Sequence, residues 1–145
     1  ALWSLSWKSA ERQARIVEGG GIEAIVRGMK RHKNKIAVQK QGCLALRSVS
    51  SRSDYARLCN AGGIEAIVAG MGSHLAELEV QQQGCRALLS ITRDNAANRV
   101  RVSEAGGIEA VVAGMGSHLG VSRLQENGCA FLLNITLGNA ANRVR

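Results

Sequence analysis

The segment Gly-Gly-Ile-Glu-Ala occurs three times, beginning at Gly20, Gly62 and Gly106, at spacings of 42 and 44 residues. The rarer residue types fall into the same register: Met29, Met71 and Met115; His32, His74 and His118; Cys43, Cys85 and Cys129. All three methionines and all three histidines of the chain are repeat positions. A period of this length marks units that cannot bury their apolar faces alone and must stack on one another. Stacked units build long surfaces, which directs the functional reading toward binding.

The middle unit carries the argument. Residues 53–60 read as a short helix with Ser53 or Asp54 as its N-cap. Gly62-Gly63 ends that helix, because glycine supplies the left-handed conformation that turns the chain sharply. Ile64, Ile67, Val68 and Met71 then recur at the spacing of one helical face, with Glu65 in the first turn where a carboxylate meets the positive end of the helix dipole. Gly72-Ser73-His74 reads as a turn. A longer third helix is expected from about Leu78 to Thr92, its buried stripe made of Gly84, Leu88 and Ile91 and flanked by Cys85 and Ala87. Glycine in mid-helix costs up to about 1 kcal/mol. Its recurrence at Gly42, Gly84 and Gly128 predicts a place where another helix crosses very close.

The expected organisation is thus a single all-α domain over 1–145. Residues 1–9 are the end of a truncated third helix, 10–51, 52–94 and 95–138 are three units, and 139–145 start another. The last segment, Asn-Ala-Ala-Asn-Arg-Val-Arg, repeats 95–101 unchanged. The chain reads as a fragment of a longer array. Residues 62–75 differ from 106–119 only at Ile67/Val111, as expected of a recent duplication or a consensus-like design.

Hydrophobic residues at 46% and charged ones at 21% exclude disorder. No apolar run approaches the roughly 18 residues that would span a bilayer. The net charge of +8 is uneven: residues 1–57 hold 12 Lys/Arg against 4 Asp/Glu, and 58–145 hold 7 against 7. Repeat-spaced cysteines on stacked helices lie roughly 8–10 Å apart per step, beyond disulfide reach. No CxxC pair suggests zinc. Reduced, buried thiols are expected, which favours a cytoplasmic or nuclear compartment. Cys59, off the register, is expected to be the more exposed one.

Three helices in about 42 residues, with a Gly-Gly turn before the second, resemble the armadillo repeat family. The resemblance rests on Ala-Gly-Gly-Ile-Glu-Ala-Ile-Val (61–68), Gln-Gly-Cys-Arg-Ala-Leu-Leu-Ser-Ile-Thr (83–92) and Ala-Leu-Trp-Ser-Leu-Ser (1–6), and it covers essentially the whole chain. It implies a right-handed α-solenoid whose third helices line a concave groove. The family often has proline where this chain has Glu23, Glu65 and Glu109. Nuclear-import members hold extended peptides with a Trp/Asn ladder. The aligned pairs here are Trp3/Trp7, Leu44/Ser48, Arg86/Ser90 and Ala130/Asn134, of which only Trp3 and Asn134 match.

On that resemblance, helical geometry at about 100° per residue assigns the groove. The first unit presents Lys40, Gln41, Leu44, Arg47 and Ser48. The second presents Gln82, Gln83, Arg86, Leu89, Ser90 and Arg93. The third presents Arg123, Glu126, Asn127, Ala130, Leu133, Asn134 and Leu137. Trp3 and Trp7 extend the face. Each feature has a plainer reading as well. The arginines also fit a solvated face, the tryptophans fit packing against upstream helices, and Leu89 and Leu133 fit burial by the next unit. The basic cluster Lys30-Arg31-His32-Lys33-Asn34-Lys35 reads as an exposed loop or as an anionic-surface patch. The histidines are a repeat apart, too distant to share an ion, and read as turn or packing residues.

No GxSxG, HExxH or phosphate-cradling glycine loop is present, and the chain reads as non-enzymatic, without cofactor or metal. Two functions are expected. In one, the groove binds an extended or helical partner segment, possibly acidic. In the other, the basic residues 1–57 bind nucleic acid or an anionic membrane surface. The chain reads alternatively as a spacer in a longer solenoid. Head-to-tail self-association through uncapped ends attaches to either function.

Overall fold

A computed structural model describes the backbone of residues 2–137 and the side chains of residues 8–137. Among the described residues all regular structure is helical, so the all-α expectation is met. The helices are α1 (Leu2–Glu18), α2 (Gly21–Arg31), α3 (Ile36–Val49), α4 (Tyr55–Asn60), α5 (Gly63–Ser73), α6 (Leu78–Thr92), α7 (Ala96–Glu104), α8 (Gly107–Ser117) and α9 (Ser122–Thr136), with a 3-10 turn at Arg52–Asp54. From α4 onward the order is short, medium and long helix. Equivalent helices of successive units pack side by side: α2 on α5 and α5 on α8, α3 on α6 and α6 on α9.

The Gly-Gly turns form as the sequence predicts. Gly20, Gly62 and Gly106 have φ of 85°, 84° and 90°, and each stands at the N-cap of a second helix. A side chain there would be strained, so the left-handed step is available at little cost only to glycine. Ile64, Ile67 and Met71 are buried beneath the turn, with Val68 partly buried beside them. The stripe expected on α6 is also buried, from Gly84 and Cys85 through Ala87 and Leu88 to Ile91.

The mid-helix glycines admit a specific neighbour. An added Cβ at Gly42, Gly84 or Gly128 would lie 2.5, 2.5 or 2.4 Å from Met29, Met71 or Met115 of the same unit's second helix. The close crossing predicted from these glycines is therefore the methionine side chain pressed onto the third helix.

Several local expectations are corrected. The helix α1 runs unbroken through the expected join between Ser9 and Ala10. In the next unit the break is made by Ser51, which forms a capping box with Asp54. Arg12 occupies the position equivalent to Asp54, so Ser9 lacks the reciprocal acceptor. Asp54 stands at the N-cap of α4, as expected, but makes no side-chain cap bond there; its carboxylate instead joins Ser51 in the capping box of the preceding 3-10 turn. The second helix continues through Ser73, and the turn lies at His74 and beyond. Cys59 is buried, its Sγ donating to Asn98 Oδ1 at 3.8 Å, whereas Cys129 is the exposed cysteine. The helix α7 covers Cys59, and no described residue covers the outer side of α9 at Cys129. The expected start of a further unit at 139–145 lies outside the described residues.

Candidate functional site

The third helices hold the candidate residues, and their placement follows from the buried stripe. On α3, Lys40, Leu44 and Arg47 are half-buried and Ser48 is exposed. On α6, Gln82, Arg86, Leu89 and Ser90 are half-buried, and Arg93, just past its end, is exposed. On α9, Ala130 and Leu133 are exposed and Asn134 is half-buried. None of them belongs to the buried core. The side chains of Trp3 and Trp7 lie outside the described residues.

Intramolecular partners separate these candidates. Lys40 Nζ is 2.6 Å from Glu79 Oε2, so its charge is matched across the first two units. Asn134 Nδ2 donates to Thr92 Oγ1 at 3.2 Å, tying α9 to α6. The Ser48 carbonyl accepts from Gln13 Nε2. Leu89 packs partly against the core, and Leu133 stays 59% exposed.

Arg47 is different. Its Nε is buried without a hydrogen-bond partner. Burial, and then the nearby charge of Arg86, hold its pKa below the usual guanidinium value. Neither arginine has a carboxylate within ion-pair distance among the described residues; the ion pairs formed are Lys40–Glu79, Arg52–Asp94 and Arg57–Glu23. Two guanidiniums on adjacent helices without a counter-charge repel each other, at a cost that grows as solvent is excluded.

The histidine column has a structural role. His74 Nε2 donates to the Lys33 carbonyl at 2.7 Å and His118 Nε2 to the Leu75 carbonyl at 2.9 Å, each reaching back to the preceding unit's turn. This assigns the Nε2–H tautomer, because a carbonyl only accepts. Among the described residues no three His, Cys, Asp or Glu side chains converge on a common point.

One repeat position escaped the sequence reading. Gln39 Nε2 donates to the Met29 and His32 carbonyls at 3.0 and 2.9 Å, Gln81 to Met71 and His74 at 2.9 Å each, and Gln125 to Met115 and His118 at 3.1 and 2.9 Å. Each amide ties the C-terminal end of its unit's second helix to the following turn, where the histidine carbonyls also accept from Lys35, Glu77 and Val121 N–H. A regular spacing of 42 and 44 residues was the available signal. Between α2 and α5, on the second-helix side of the molecule, lies a cavity of about 180 Å³ lined by Met29, Lys30, Lys33, Gln39, Ala69 and Gly70. It is separate from the third-helix face.

No protein-family model matches this chain, and no curated protein or solved structure matches it either. No helix among the described residues is long and apolar enough to cross a membrane.

Proposed function

We propose that the chain is an array of armadillo-type repeats wound as a right-handed α-solenoid. In this reading it is a non-enzymatic protein-interaction scaffold whose third-helix face takes an extended or helical partner segment carrying acidic side chains. The observation that carries the reading is that Arg47 and Arg86, half-buried on adjacent third helices, have no ion-pair partner among the described residues, while burial and then the charge of Arg86 lower the pKa of Arg47. An arriving carboxylate relieves that repulsion and accepts paired N–H bonds from the planar guanidinium. Exposed Leu133 and Leu137 offer apolar anchors further along the face. Charge then sets orientation and association rate, and the anchors slow dissociation. The buried, reduced thiols Cys43 and Cys85 support a cytoplasmic or nuclear setting.

The test is capture from lysate by the wild type beside the Arg47→Glu plus Arg86→Glu double variant, with helicity of both checked by circular dichroism. At moderate salt a discrete acidic protein is expected on the wild type alone. Equal capture by both proteins removes the third-helix face from consideration.

A second reading has its own observation. Arg27, Lys30, Arg31, Lys33 and Lys35 are all exposed and form no ion pair among the described residues. They would serve a nucleic acid or an anionic membrane surface. The described aromatic side chains, Tyr55 and Phe131, are half-buried and buried, so a stacking platform for single strands is missing from this patch. Retention of unrelated nucleic acid that falls steeply with salt would favour this reading.

A further inference from the structure

We infer that the cavity between α2 and α5 is a binding site for a small amphipathic carboxylate, an aliphatic chain with an anionic end. The site is separate from the third-helix face, so it stands or falls independently of the scaffold reading. Its size sets the length of the chain. The cavity measures about 180 Å³, and an apolar cavity of about 150 Å³ already holds a benzene ring, so a chain of about six carbons fits. Its lining sets the polarity. Met29 of α2 and Ala66, Ala69 and Gly70 of α5 form an apolar wall. Gln39 also belongs to the lining, but its Nε2 is committed to the carbonyls of Met29 and His32. Such a surface favours an apolar chain over a polar one. Ala69 and Ser73 are exposed, so the cavity opens to solvent.

The mouth carries the charge. Lys30 and Lys33 both line the cavity, both are exposed, and neither forms an ion pair among the described residues. Lys30 reaches across to α5, where a Cβ added at Gly62 would meet its Nζ at 2.5 Å. Its ammonium thus stands at the positive end of α5, where a cation is disfavoured and a carboxylate is stabilised. Glu65 lines the cavity too, with its Oε1 4.0 Å from the same point at Gly62, and offsets one of the two positive charges. The other is left for a ligand. The junction between α5 and α8 is an internal comparison. Ala110, Ala113 and Gly114 repeat the apolar wall there, but Gly72 and Leu75 stand in the places of Lys30 and Lys33. Of the two junctions, the first alone joins the apolar wall to a cationic mouth.

The experiment titrates the whole chain, labelled at its methionine and alanine methyl groups, with hexanoate, hexan-1-ol and acetate. Hexanoate is expected to move the Met29, Ala66 and Ala69 resonances and to leave Met71, Ala110 and Ala113 in place. It should bind about three- to tenfold tighter than hexan-1-ol, the range two exposed charge contacts supply, and acetate should not saturate. Lys30→Gln with Lys33→Gln should erase that advantage. Arg27→Gln with Arg31→Gln, an equal loss of charge on the same helix, should keep it. Ala69→Leu, which fills the cavity from its exposed wall, should abolish binding of hexanoate and hexan-1-ol alike, whereas Ala113→Leu should not. Amide spectra report whether each variant is folded. Equal affinity for hexanoate and hexan-1-ol in the wild type overturns the inference, because the lysines then read no carboxylate. Equal losses in the two charge variants overturn it in favour of a diffuse basic field. Unchanged binding by the folded Ala69→Leu variant, or no response at Met29, Ala66 and Ala69, overturns the cavity as the site.

Discussion

Single residues in this molecule are governed by whether the next unit covers them. Cys43 and Cys85 occupy equivalent positions with 0% exposure, and burial pushes both thiols up to about 12. Cys59 is raised as well, chiefly by burial. Cys129 holds the same register on α9 and is exposed. Alkylation requires the thiolate, and a raised pKa starves the reaction even before access is considered. At pH 8 the native protein is therefore expected to take iodoacetamide at Cys129 alone. Cys43, Cys59 and Cys85 would follow only in denaturant, a pattern that peptide mass spectrometry reads directly. Early labelling of Cys85 would mean that the contact between α6 and α9 opens readily.

At the scale of elements, one glycine column should show opposite signs of the same substitution. Gly70 and Gly114 face the Oε1 atoms of Gln39 and Gln81, which an added Cβ would meet at 2.8 and 2.7 Å. Those amides cannot retreat without giving up their bonds to second-helix carbonyls. Gly28 holds the same position on α2 and has nothing within 4 Å. Gly114→Ala is expected to destabilise by about 1–3 kcal/mol through overpacking. Gly28→Ala is expected to stabilise by about 0.5–1 kcal/mol through helix propensity. Urea midpoints at unchanged slope decide both, and a shared sign would show that the glutamine does not fix the register. The contrast also explains what was legible in the sequence. Gly62, Ile64, Ile67 and Met71 announce their roles within ten residues, because local helix geometry suffices to place them. The glutamine column acts on carbonyls of another helix and on a glycine of the next unit, relations that no short window contains. Asp54 stands at the N-cap of α4 while its side chain serves Ser51 in the turn before it, a double role that the sequence window does not show. The outward set on α3 and α6 follows from the 100° period. The approach of Arg47 to Arg86 does not, since it depends on how α6 is offset along α3. The tie of Asn134 to Thr92 depends in the same way on the packing of α9 against α6.

Across the whole molecule, stability is expected to be graded along the stack rather than uniform. The middle unit is covered on both sides, with α5 between α2 and α8 and α6 between α3 and α9. Met71 and Gln81 there are fully buried, whereas their counterparts Met115 and Gln125 are only half-buried, and Val112, Leu119 and Leu133 stand exposed. In an array whose units contact only their neighbours, stability is the sum of unit and interface contributions, and a unit with one interface opens before a unit with two. The ion pairs that cross between units, such as Arg57–Glu23 at 2.8 Å, are solvent-accessible and add little to this gradient. Native-state hydrogen exchange on these 145 residues should therefore find the slowest amides in α5 and α6, with α8 and α9 opening at lower free energy. Ile67→Ala, in the middle of the stack, should cost about 2–5 kcal/mol and lower protection in all three units, because removing the centre separates the two ends. Leu124→Ala, on α9, should lower protection in α8 and α9 and leave α2 and α3 nearly as they were. If every helix instead exchanged at one common free energy, and both substitutions lowered it alike, the chain would be a single cooperative unit. The long third-helix face would then be as rigid at its third unit as at its centre.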